Sequence, residues 1–66
     1  MIIKHKGMSF QSINDKKPSH LKKVRLLLHD YSIDEAVAID TGFELEFRTL
    51  THGLCFEDNV RGWWYV

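Results

Sequence analysis

Ser19-His20-Leu21-Lys22-Lys23-Val24-Arg25-Leu26-Leu27-Leu28-His29-Asp30-Tyr31 admits two readings, and the choice between them sets the fold class. Leu21, Val24, Leu27, Leu28 and Tyr31 follow the three-and-four spacing of one buried helical face, with Lys22, Lys23, Arg25 and His29 opposite them. Val24, Leu26 and Leu28 also alternate with Lys23, Arg25 and His29, which is the period of a strand. The length of the run and the start signal at Pro18 or Ser19 favour an amphipathic helix over residues 19–31.

Moving towards the C-terminus, Ser32-Ile33-Asp34-Glu35 has the form of a capping box, and a short second helix over 33–39 is expected, stopped by Asp40-Thr41-Gly42. A strand over Ala36–Ile39 that turns through Asp40-Thr41-Gly42 is the competing reading. Phe43-Glu44-Leu45-Glu46-Phe47-Arg48-Thr49-Leu50 alternates strictly over its first six positions, which places Phe43, Leu45 and Phe47 on a buried face and Glu44, Glu46 and Arg48 on a wet one. Turn signals at Thr51-His52-Gly53 and Asp58–Gly62 then separate strands at 54–57 and 63–66, giving a three-stranded antiparallel meander.

Towards the N-terminus, Asn14–Pro18 is a charged, turn-rich linker. Residues 1–13 are expected to hold one or two short strands around Ile3, His5 and Phe10, with Gly7 permitting a turn or a bulge. The expectation is a single α+β domain, 1–66, in which one amphipathic helix covers a small antiparallel sheet. A chain this short buries only about 60% of its unfolded surface, so its core needs help from dense aromatics or a partner. Cys55 is the only cysteine and excludes an internal disulfide. The basic start Met1–Lys6 is followed by no long apolar run, which excludes a signal peptide or membrane span by pattern and leads us to expect a cytoplasmic protein with no membrane partner.

Net charge is zero but lopsided: residues 1–30 hold seven basic and two acidic residues, and 31–66 hold two basic and seven acidic. The two halves either pack together and neutralise each other or present opposite surfaces to partners. Lys16, Lys17, Lys22, Lys23 and Arg25 form a candidate phosphate-gripping cluster, with the C-terminal aromatics available to stack on bases. Overall neutrality argues against that reading, as does the acidic character of Asp34, Glu35 and Asp40 in any helix-turn-helix version.

His52 and Cys55 have half-site spacing for a metal, but His5, His20 and His29 offer no matching second pair, so no metal or other cofactor is expected. Nor is any nucleophile accompanied by a base and an orienting third group, and no catalytic residue is assigned. Glu44 and Glu46 share a strand face about 7 Å apart, a spacing that imitates phosphates along a nucleic-acid strand. Trp63-Trp64-Tyr65-Val66 puts large aromatics on both sides of a strand, which calls for cover on both or for a partner surface or dimer seam. These features together point to a small non-enzymatic regulatory or inhibitory protein that docks on a larger protein through Trp63, Trp64, Tyr65, Glu44 and Glu46, with nucleic-acid binding through the basic cluster as the alternative.

Overall fold

The computed structural model describes residues 1–66 and is all-β. Its strands are β1 (Ile2–His5), β2 (Met8–Ser12), β3 (Lys23–Leu28), β4 (Ile33–Asp40), β5 (Leu45–Thr49), β6 (Leu54–Phe56) and β7 (Val60–Tyr65). They form one antiparallel sheet in the order β1-β2-β7-β3-β4-β5-β6, and a 3₁₀ turn at Glu57–Asn59 is the one helical element. The expected α+β fold is therefore corrected. The helix expected over 19–31 is an irregular approach followed by β3, and the one expected over 33–39 is β4, whose strand alternative is the arrangement found. No helix is long and apolar enough to cross a membrane.

The leucine run explains why helical periodicity misled. Val24, Leu26 and Leu28 point to the main core with Ala36, Ala38, Leu45, Phe47, Cys55, Val60 and Trp63. Leu27 points the other way and is equally buried, because the β1–β2 hairpin curls over that side and lays Phe10 and Ile3 against Gly62, the residue opposite Leu27. Burial on both sides of one strand adds an apolar residue at the polar parity, and the sum imitates a helical stripe. The flanking members of that stripe, Leu21 and Tyr31, are exposed residues with positive φ (66° and 68°), where the backbone changes direction.

Ser32 does not cap a helix. It donates both its amide and its hydroxyl to Asp30 Oδ1 and closes the β3–β4 turn. Lys6-Gly7 forms the β1–β2 turn, so the N-terminal segment holds two paired strands.

The meander expected for the C-terminal half is also corrected. β4, β5 and β6 follow one another in the sheet, but after β6 the chain crosses through the 3₁₀ turn and inserts β7 between β2 and β3. The terminal strand is thus central, and the edges belong to β1 and β6. A bulge where Leu27 and Leu28 face Gly62 and Val60 leaves Arg61 without an opposite residue on β3 and turns both Val60 and Trp63 inward despite their odd separation. Gly62 has no room for a side chain: a Cβ there would lie 2.9 Å from both Gln11 O and Phe10 Cβ. The loop between β2 and β3 straps the open side of the main core, where buried Pro18 lies and the Trp63 indole N–H donates to Lys16 O at 2.7 Å.

Candidate functional site

Side chains opposite each other in an antiparallel register share a face, so the register maps the outer side of the sheet row by row. Phe56, Glu46 and Ile39 form one row; Leu54, Arg48, Val37 and Lys23 the next; Glu35, Arg25 and Trp64 the third. At the β7 end this face is covered by the hairpin that buries Phe10 and Leu27. Towards β6 it is open, and Trp64 (50% exposed), Leu54 (53%) and Phe56 (37%) reach solvent around half-buried Val37 and Ile39. The charges among them are interleaved by sign: Arg25 sits across from Glu35, and Lys23 Nζ reaches Glu35 Oε1 at 4.0 Å.

The residues singled out in the sequence are distributed unevenly over this frame. Trp63 is fully buried in the main core, and Tyr65 stands edge-on to it, ring centroids 5.0 Å apart, half exposed on that same side. Trp64 alone of the three lies on the outer face. Glu46 is half-buried between Ile39 and Phe56, whereas Glu44 precedes β5 in an exposed loop, so the expected acidic pair on one strand face is not formed. The basic residues do not make one patch either. Lys23 and Arg25 are on the outer face, while Lys16 and Lys17 belong to the strap on the core side, where Lys17 Nζ pairs with Glu57 Oε2 at 2.7 Å. Lys22 sits at the irregular entry to β3, its carbonyl accepting from Ala38 N.

A second constellation gathers at the far end of the sheet. Asp34, inward-facing on β4, accepts from Glu35 N through Oδ1 and from Thr51 N (3.1 Å), Thr51 Oγ1 (2.9 Å) and His52 Nδ1 (2.7 Å) through Oδ2. Burial pushes its carboxyl up, but the imidazole of His52 and then the Thr51 and Glu35 donors outweigh it and hold the group well below the usual carboxylate range. His52 and Cys55 border an open cleft of about 360 Å³ with His29, Asp30 and Asn59. The arrangement has the look of a dyad beside a thiol, but its chemistry is poor. Burial, and then the charge of Asp34, push the Cys55 thiol up, which favours the unreactive protonated form. Its Sγ lies 4.0 Å from His52 O. No three His, Cys, Asp or Glu side chains come together as a metal-binding set. The Asp34 cluster is best described as a staple that pins the β5–β6 turn onto the start of β4.

No family model, curated protein or solved structure matches this chain.

Three features, two on the surface and one buried, are not legible in the sequence. Phe43, expected in the core, is 98% exposed at the tip of the β4–β5 loop, where Gly42 N donates to Asp40 Oδ1 and the Phe43 amide to Thr41 Oγ1. Strand alternation at Phe43 was a continuation of the β5 pattern into a loop. Leu54 and Phe56 are exposed because β6 is an edge strand with only Cys55 inward, and the L-C-F triplet carries no polar residue that would have marked its outer face. In the sequence Asp34 belongs to a capping pattern, and nothing local signals a carboxylate buried for a turn seventeen residues away.

Proposed function

We propose that this chain is a small non-enzymatic regulatory protein that works by binding a larger protein through the outer face of its sheet, with Trp64 at the centre. The observation that carries the reading is the half-exposed indole of Trp64, held on a central strand that is hydrogen-bonded on both sides and sharing the open part of that face with Val37, Leu54 and Phe56 in the neighbouring rows. A rigid strand presents an aromatic ring at little entropic cost, and tryptophan and arginine are the residue types most enriched at binding hot spots. Glu46, on the same face, adds polar specificity; Glu44 lies off it. The balanced charges of this face suit a partner surface of mixed sign.

The test is retention of a partner from cell extract on immobilised protein, wild type against Trp64→Ser. The expected result is a protein retained by the wild type and lost with the variant while the thermal midpoint is unchanged. Equal retention by both would reject the reading.

Nucleic-acid binding is the second reading, favoured by one specific observation: Arg25 stands directly across from Trp64, with Lys23 in the adjoining row, so a base could stack on the indole while two cations meet phosphates. It ranks second because Glu35 and Glu46 occupy the same face and Lys16 and Lys17 do not. Retention on single-stranded DNA that falls steeply with salt and is lost in Lys23→Ala/Arg25→Ala would promote it.

A further inference from the structure

The β1–β2 hairpin is joined to the rest of the sheet at two places. At one end only Gln11 and Ser12 of β2 pair with β7, opposite Trp63 and Gly62, and the rest of the hairpin leaves that ladder and folds over Leu27. At the other end His5, the last residue of β1, lies against the β3–β4 turn, its ring 5.3 Å from that of Tyr31 and tilted by 35°. The Arg61 guanidinium stands over the same Tyr31 ring at 4.4 Å, anchored by its Nε–H, which donates to His29 O at 2.9 Å. His5 Nε2 is the one buried side-chain nitrogen or oxygen without a hydrogen-bond partner. Buried polar atoms are nearly always paired, so this orphan calls for an explanation.

We propose that the hairpin is a proton-gated flap, hinged at Gln11 and Ser12 and latched by neutral His5 on Tyr31, which lifts when the imidazole takes up a second proton. A neutral ring with its proton on Nδ1 leaves Nε2 as a bare acceptor. The imidazolium must carry its second proton on Nε2, which puts a charged donor where neither water nor an acceptor reaches it.

The surrounding charges act in the same direction. From β7 Arg61 lies over the ring that His5 stacks on, and Lys4 and Lys6 flank His5 in the chain. The turn offers Tyr31 and exposed Asp30, whose Oδ1 already accepts from Ser32, and β2 sets uncharged Met8 opposite. Attraction of a cation to the Tyr31 ring does not reverse the balance, since Arg61 is already seated on it. Histidine is the side chain that changes charge between about pH 5 and pH 8, so the flap is closed at neutral pH and lifts in mild acid. Lifting uncovers Leu27 and Phe10 beside the open part of the outer face and widens the apolar surface there. The device does not depend on Trp64 having a partner.

The experiment follows three nuclear Overhauser contacts in the full chain, His5 with Tyr31, Phe10 with Gly62 and Gln11 with Trp63, from about pH 7.5 to about pH 5. The expected result is that the first two weaken at least twofold in step with titration of the His5 ring, while the third, at the hinge, persists. His5→Phe keeps a ring on Tyr31 without a titrating nitrogen and should hold both contacts across the range. Tyr31→Asn, which suits the positive φ of 68° there, should lose them at every pH. Contacts that persist in the wild type after His5 has titrated overturn the proposal. So does the same acid loss in His5→Phe, which assigns it to another group, or a Tyr31→Asn chain with the flap still closed.

Discussion

Asp34 is the most heavily committed side chain in the molecule. Four donors converge on one buried carboxylate, and three of them come from the turn that joins β5 to β6. Replacing it by asparagine keeps the shape but removes the charge that these donors solvate, and turns an amide N–H₂ towards at least one of them. Hydrogen bonds to charged groups contribute about 1.5–3 kcal/mol, and we expect Asp34→Asn to lose that much, read as a lower urea midpoint with an unchanged slope. Because the folded carboxyl sits below its ordinary value of about 3.9, its contribution is fully present above that pH and is lost as the pH falls towards the folded value. The wild type should therefore shed stability on acidification below about pH 4 by more than the variant does. A variant with the same acid limb as the wild type would show that the staple contributes nothing.

At the scale of the element, the bulged strand β7 determines how the sheet is filled. Gly62 lets β2 come close enough for Phe10 to cover Leu27, and a Cβ at that position meets backbone and Cβ atoms rather than a side-chain tip. Gly62→Ala should therefore destabilise by about 1–3 kcal/mol, in the range of overpacked cores, and a calorimetric melt would check it. An unchanged melting temperature would mean that the hairpin is not packed there.

The same packing explains what the sequence did and did not reveal. Alternation in Leu45-Glu46-Phe47-Arg48 located β5 because one of its faces is wet. The Lys6-Gly7 turn and the Asp40-Thr41-Gly42 turn were also readable, since glycine takes up the positive φ at Gly7 and Gly42. β3 was obscured because Leu27 is buried by a hairpin distant in sequence, so its pattern belongs to tertiary structure and not to local propensity. Of the candidate surface, Trp64 was legible as an aromatic that one face of a strand could not hide; Phe56 and Leu54 were not, because their exposure follows from β6 ending the sheet.

For the molecule as a whole, the charge asymmetry along the chain does not survive folding as two opposed surfaces. β3, from the basic half, lies between acidic β4 and the terminal β7, and Lys17–Glu57 and Lys23–Glu35 join the two halves directly. What folding leaves distinctive is the sheet order: the last strand of the chain is central, with Trp63 locked inward beneath Lys16 and Trp64 left outward beside Arg25. The proposed binding face depends on this order, since a terminal strand paired beside β6 would place Trp64 elsewhere.

The most direct test is a set of cross-strand proton contacts by nuclear Overhauser spectroscopy. The structure predicts contacts of Trp63 with Leu26 on one side and Gln11 on the other, and of Arg25 with both Glu35 and Trp64. Contacts three residues apart along 19–31, or pairing of Trp63 with Leu54–Phe56, would contradict it.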